Sequence, residues 1–276
     1  MNVLVTGSNG YIGKDLVKKL SKKYNVLQMQ NSNEYSIISD VYKMNLLNTD
    51  HIKVFKSENI SIDLVIHVAS KMSSALSIYD LSILQDNIKI YENLIDIIEH
   101  FKPNKLINFS SIAVYPNIDG EYDEESMIKP SINGDALYGL SKFCGENMLD
   151  HLLKNMQICI SHLRISQVFS DDLRDDRLYK MMKYELSKTN CISVYGNGER
   201  VSNFIHKDIL IEKVLVFVEN DFEGIFNIGD KNLTYKEFAE YVIREFGDNN
   251  SKITLNQNGA KSKLYIKMNK FNSLEN

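Results

Sequence analysis

The chain has 276 residues, 43% of them hydrophobic and 25% charged, which supplies a large buried core and excludes a disordered protein. Its formal net charge is −4, with lysines interspersed among acids, so no basic face for nucleic acid stands out. Cys144, Cys159 and Cys191 form no C-x-x-C pair, no metal-ligand spacing appears, and no apolar run approaches the roughly 18 residues of a membrane span. The first strand begins at Asn2 and leaves no room for a signal peptide, so the expectation is a cytoplasmic protein in a reducing compartment, without membrane, metal or nucleic acid as partner.

The opening stretch MNVLVTGSNGYIG joins an apolar run, Val3 to Val5, to a turn carrying Gly7, Gly10 and Gly13, and the KDLVKKLSKKY that follows has helical periodicity. Strand, Gly-rich turn and helix in that order make a dinucleotide site. The turn lets backbone approach a pyrophosphate, while the helix N-terminus offers free N–H groups and a partial positive charge. Glycines also make ordinary tight turns, so the flanking elements carry this reading. Gly7, Asn9, Gly10, Tyr11 and Ile12 are its candidate cofactor contacts.

Asn25 to Gln30 reads as the second strand, near whose end a dinucleotide fold commonly places an acid for the adenosine ribose. Gln30, Asn31, Ser32 and Asn33 stand there instead, with Glu34 in the loop beyond. A carboxylate would repel a 2′-phosphate, whereas amides and a hydroxyl can hydrogen-bond to it. The expectation is therefore NADP, with NAD as the alternative and Gln30 and Asn31 as contacts. No Arg is close by, and a solvated loop is the plain reading of the same residues.

Val41 to Met44 is a short third strand, after which Asn45 and Leu46 are candidates to contact adenine, and Thr49 is placed to cap a helix through Phe55. Asp63 to Val68 is an apolar strand running into Ala69, Ser70 and Lys71. Small residues at that edge leave room for a cofactor, which assigns Val68, Ala69 and Ser70 to it and Lys71 to the substrate. His67, alone in an apolar strand, reads as a core residue sooner than as a catalytic base. A helix is expected over Leu76 to Phe101, closed by Pro103, with Asn87 and Asn93 interrupting its apolar face. A buried Asn beside a cofactor would hold a turn or a water.

Lys105 to Ser110 is the next strand, and the hydroxyls of Ser110 and Ser111 at its end suit either a turn cap or a donor to a substrate oxygen. In the helical stretch Asp135 to Leu153, Tyr138 and Lys142 lie four apart and share a face. An ammonium within about 4–6 Å lowers a phenol pKa and makes Tyr a usable acid or base. Taken alone, the pair reads sooner as a snorkelling surface pair.

Three stretches in order, TGSNGYIG, SSIAVYP and YGLSK, resemble the extended short-chain dehydrogenase/reductase family, most of whose members act on nucleotide-activated sugars. The resemblance implies that Gly7, Gly10 and Gly13 cradle a pyrophosphate, and that Ser111, Tyr138 and Lys142 form a catalytic triad. It also implies that Asn87 is a structural Asn near the active site. Ile158 to Ile165 then reads as a strand, and Arg164 opens a segment similar to the family's L-R-x-x-N-V-Y-G-P, with Gln167 in place of Asn and Ser170-Asp171 in place of Gly-Pro. In YGNGERVSNFIHKD, the Arg expected to grip a sugar diphosphate is Ser202, with Arg200 as a substitute or as a surface residue.

Helices are expected over Arg174 to Ser187 and Ile205 to Val218, a strand over Gly224 to Gly229, and a helix capped by Thr234 through Phe246. The implied fold is α/β, with a Rossmann-like doubly wound parallel sheet over residues 1–165, to which 203–230 return. A smaller C-terminal substrate lobe would comprise 166–202 and 231–276. Relatives pair through two long helices, so a homodimer is implied. Dehydratase relatives carry an Asp-Glu pair after the catalytic Ser or Thr, where this chain has Ile112 and Ala113, which cannot transfer protons. The leading expectation is an NADP-dependent reductase of a 4-keto nucleotide sugar that binds it through Lys71, Ser111, Gln167 and Arg200. A 4-epimerase with bound NAD is the alternative, and a non-catalytic dinucleotide-binding protein is a third reading.

Overall fold

The computed structural model describes residues 1–74, 77–175 and 177–274. In chain order the elements are β1 (Asn2–Thr6), α1 (Gly13–Leu20), β2 (Asn25–Gln30), β3 (Ser36–Ile38), β4 (Val41–Lys43), α2 (Thr49–Lys56), β5 (Leu64–His67), α3 (Ser82–Phe101), β6 (Lys105–Ser111), β7 (Gly120–Tyr122) and α4 (Ala136–Leu152). They continue with β8 (Cys159–Ile165), β9 (Gln167–Phe169), α5 (Leu178–Thr189), β10 (Cys191–Val194), β11 (Val201–His206), α6 (Lys207–Glu219), β12 (Gly224–Ile228), β13 (Lys231–Thr234), α7 (Tyr235–Phe246), β14 (Lys252–Leu255), β15 (Leu264–Ile266) and α8 (Asn269–Asn272).

Eight strands form the central sheet in the order β12-β8-β6-β5-β1-β2-β4-β3, parallel except for β3 against β4. Strands buried on both faces need apolar side chains in both directions, and β1 supplies them. Val3 and Val5 pack toward a cluster with Leu16 and Leu20 of α1 and Leu210, Val214 and Phe217 of α6. Leu4 points the other way, into a cluster with Phe55, Leu94, Ile98 and Leu149 from α2, α3 and α4. The sheet is thus wound on both faces. The chain reverses direction across it between β1 and β5, and a crevice opens outside the strand ends at such a reversal.

Lys105 fixes the far side. Its ammonium donates to the carbonyls of Phe217, Val218 and Asn220 at the end of α6 and pairs with Asp221 at 2.6 Å. After β8 the chain builds smaller sheets: β13-β11-β9, the parallel pair β10-β14, and the parallel pair β15-β7. Tyr179, Phe204, Phe238 and Val242 form the core beneath the first two.

Several local expectations need correction. Asn48, not Thr49, caps α2: its backbone is extended, and its Oδ1 accepts the N–H groups of Asp50 (2.9 Å) and His51 (3.3 Å). Helix α3 begins at Ser82, whose N–H is taken by Asp80, and the expected start at Leu76 lies outside the described residues. Helix α5 begins at Leu178 instead of Arg174, and Ile205 and His206 end β11 instead of opening α6. Strand β3, exposed throughout, was not expected. Thr234 does cap α7, in a reciprocal box with Glu237. Among the described residues, no helix is long and apolar enough to cross a membrane.

Candidate active site

A cleft of about 1030 Å³ opens at the ends of β1, β5, β6 and β8 and is walled on its other side by residues of β9, β11 and α7. One end is made by the glycine turn. Gly7 has φ +66°, and a Cβ there would lie 2.9 Å from the backbone of Ala69. A Cβ on Gly13 would lie 2.1 Å from the Gly7 carbonyl oxygen, so the turn closes onto α1 only with glycine at both places. Ile12 offers α1 no side-chain cap; the Lys14 N–H is taken by the Gly10 carbonyl at 3.2 Å, and the N–H groups of Gly13 and Asp15 are left for an anion. This cradle fits a dinucleotide pyrophosphate.

Of the expected cofactor contacts, Gly7, Asn9, Gly10, Tyr11, Ile12, Asn31, Asn45, Leu46, Val68, Ala69 and Ser70 line the cleft. Gln30 does not. Strand alternation turns Met29 and Asn31 to the cleft, and the Gln30 carbonyl accepts the Met44 N–H at 2.8 Å. Asn45 shapes its own turn, with Oδ1 on the Leu47 N–H at 2.9 Å. His67 is fully buried and bonded to Thr6 at 2.9 Å, and burial, aided by the Lys142 charge, holds its pKa well below the usual range. It is a core residue.

Asn87 also stays out of the cleft, and its contacts explain why the chain needs an amide there. Its Oδ1 accepts the Lys71 N–H (2.8 Å) and the Ser70 hydroxyl (3.2 Å), while Nδ2 donates to the Lys71 carbonyl (2.9 Å) and the Ser141 hydroxyl (3.2 Å). One buried amide therefore ties the end of β5 to α4. Lys71, which does line the cleft, is held by Asp86 at 2.5 Å and Ser82 at 2.9 Å.

Ser111, Tyr138 and Lys142 converge on the same cleft. Both serines line the cavity, but their hydroxyls differ: Ser111 caps the following turn through the Ala113 N–H at 3.1 Å, whereas Ser110 donates to buried Glu146. Lys142 Nζ donates to the Phe109 carbonyl at 2.8 Å and lies 5.6 Å from the Tyr138 ring centre. The electrostatics differ from the expected lowered phenol. Burial pushes Tyr138 up to about 12, with Ser70 and Arg177 pulling against it and Asp135 adding to it. Burial also draws Lys142 down to about 7, against the pull of Glu146.

At the other end of the cleft, Gln167 donates to Ser202 at 2.9 Å, and the Arg200 guanidinium sits 5.0 Å from the Tyr235 ring centre. The departures after β9 have partners. Ser170 bonds the Tyr11 hydroxyl at 2.6 Å and Asp172 at 2.6 Å, and Asp172 pairs with Lys14 and Lys207.

The model of the NAD dependent epimerase/dehydratase family matches residues 3–229. The chain belongs to that family. It is 22% identical over 268 residues to dTDP-D-glucose 4,6-dehydratase of Dictyostelium discoideum, spanning 87% of this chain but only 61% of that protein's length. It is 26% identical over 260 residues to dTDP-4-dehydro-6-deoxyglucose reductase of Escherichia coli, covering 87% and 80% of the two chains. Among solved structures, a UDP-glucuronic acid 4-epimerase from Bacillus cereus, bound to UDP-glucuronic acid and NAD, shares the fold with a TM-score of 0.81. That likeness is at 22% identity over 99% of this chain and 92% of that one.

Behind Ser111, Tyr138 and Lys142 of this epimerase/dehydratase-family chain lies a buried network that the sequence did not lead one to expect. Arg164 and Glu146, both buried, pair through two contacts at 3.0 and 2.8 Å, and Arg164 also reaches the Tyr115 hydroxyl at 3.0 Å. The signal was Glu146 four residues past Lys142, on the same helix face. Asp135, Arg174 and Arg177 of the cleft wall were missed as well; Ser73 donates to Asp135 at 2.6 Å, and its carbonyl takes both arginines.

Proposed function

We propose that this chain is an NADP-dependent reductase of a 4-keto sugar carried on a nucleotide. One observation carries the reading: Ser111, Tyr138 and Lys142 open into the cleft that holds the glycine cradle, with buried Ile112 and Ala113 directly after the serine. A dinucleotide supplies hydride when bound. Tyr138, kept protonated by burial, donates its proton to the ketone oxygen, and Ser111 hydrogen-bonds that oxygen. Lys142, 5.6 Å from the Tyr138 ring centre, would hold the ribose hydroxyls.

Dehydration needs a free acid and base at neighbouring carbons, whereas the aspartates lining the cleft, Asp86 and Asp135, are held by Lys71 and Ser73. Lys71, Gln167 and Arg200 are the proposed substrate contacts. Residues 1–165 and 203–230 would hold the dinucleotide, 166–202 and 231–276 would hold the sugar nucleotide, and a homodimer would form through α3 and α4.

A 4-epimerase that retains NAD is the second reading, favoured by the polar cluster that ties Tyr11 to the segment after β9. The test presents the purified protein with dTDP-, UDP-, CDP- and GDP-linked 4-keto sugars and NADPH. Loss of NADPH absorbance matched mole for mole by reduced sugar is the expected result. Purified protein carrying unconsumed NAD and interconverting C4 epimers would overturn it.

A further inference from the structure

We propose that Ser170, Asp172 and Lys207 are positioning residues that clamp Tyr11 against the glycine turn and thereby set the rate at which the dinucleotide leaves. The inference rests on the dinucleotide reading of the cleft and adds to it a control on exchange.

Tyr11 lies between Gly10 and Ile12 and lines the cleft. Its hydroxyl is 2.6 Å from Ser170 Oγ. Ser170 donates its own proton to Asp172 Oδ1 at 2.6 Å, so it receives the proton of Tyr11, and the chain of donors runs in one direction. The face of the Tyr11 ring is held too, because Lys207 Nζ sits 4.7 Å from its centre. Lys207 is in turn fixed by both Asp172 oxygens at 2.6 Å and by Asp15. The ring is therefore restrained at its edge and at its face.

Three segments far apart in sequence meet in this cluster: the start of α1, the residues after β9 and the start of α6. Two cations, Lys14 and Lys207, are balanced by two carboxylates, Asp15 and Asp172. The cluster adds no net charge beside the phosphate cradle, so its effect is to hold the ring in place and not to attract an anion. Lys207 has only 6% of its side chain exposed, and although burial acts against it, Asp172 is kept ionised by Lys14, Lys207 and Ser170. The hydroxyl and carboxylate sit in the segment where the sequence departs from Gly-Pro, and a glycine at position 170 would have no side chain to receive the Tyr11 proton. A pyrophosphate seated on the turn would lie next to this ring, and on this proposal it leaves when the turn and the segment after β9 part.

The experiment loads the protein with NADPH, and separately with NADH, and follows release by stopped-flow fluorescence during a chase with excess oxidised dinucleotide. The variants are the double substitution Lys207→Met/Asp172→Asn, which keeps the cluster neutral, and Ser170→Ala, which removes one hydroxyl. Each is assayed below its own melting temperature. A release rate raised more than threefold in either variant is the expected result. Release within threefold of the parent in both overturns the clamp, even if their melting temperatures fall, because that is what a merely structural cluster would show. If the double variant does not fold, Ser170→Ala decides alone by the same threshold. Failure of the parent chain to bind either dinucleotide would overturn the proposed function and the clamp with it, whereas unchanged release from both variants of a parent that does bind overturns the clamp alone.

Discussion

Lys142 is a cation with 2% of its surface exposed, and its titration follows from that. In the unfolded chain it titrates near 10.5, in the folded chain near 7, so between those values the unfolded state binds more protons. Stability contributed at this site therefore rises with pH across that window, and the penalty for burying the ammonium is fully present below it. Lys142→Met should be more stable than the parent at about pH 6, by on the order of 3 kcal/mol, and the gap should shrink toward pH 9. Urea unfolding at a series of pH values measures this, and a gap that does not change with pH would contradict it. Tyr138→Phe should lower turnover about 10²–10⁴-fold while leaving the unfolding midpoint in place. That Ser111, Tyr138 and Lys142 would come together was implied by the resemblance of SSIAVYP and YGLSK and not by spacing alone, and all three line one cleft. The direction of the Tyr138 shift was not legible in the sequence, since burial depends on packing among distant elements, and Arg164 gave no local sign that its partner would be Glu146 of α4.

At the scale of elements, the contact between α3 and α4 sets where Tyr138 and Lys142 stand. A Cβ on Gly145 would lie 2.1 Å from the Tyr91 ring, and Tyr91 is pinned through its hydroxyl to Asn108 at 3.2 Å. Gly145→Ala should push α4 away from α3, cost about 1–3 kcal/mol in chemical unfolding and reduce turnover, because the same helix carries Tyr138 and Lys142. An unchanged unfolding curve would mean that the ring yields. Elements with strong local signals were readable. Strand β2 runs from Asn25 to Gln30 as its pattern indicated, and α7 starts at its Thr234 cap. Strand β3 left no trace, since its three residues are all exposed and carry no alternation. The α2 cap was misplaced by one because Asn48 and Thr49 are both capable caps, and only the extended backbone of Asn48 decides between them.

For the molecule as a whole, the proposed preference for NADP rests on the end of β2, where Asn31 faces the cleft in place of an acid. NADPH should bind more tightly than NADH, and Asn31→Asp should weaken NADPH on the order of tenfold, about 1.4 kcal/mol, while sparing NADH. Fluorescence titration measures both, and a parent chain that prefers NADH would refute the assignment. Alternating strands and helices made the large sheet readable from sequence, whereas the smaller pairings join segments too distant for any local pattern. Strand β7 is the extreme case. Its partner β15 lies far down the chain, with Gly120 opposite Leu264 and Tyr122 opposite Ile266. Ribosomal synthesis at about 5–20 residues per second leaves β7 waiting roughly 7–30 s for that strand to emerge. An unpaired edge left open that long invites association with neighbouring nascent chains. Strand β7 has only three residues, and Asp119, Glu121 and Asp123 stand in and beside it, so charge repulsion protects the waiting edge until its own partner arrives.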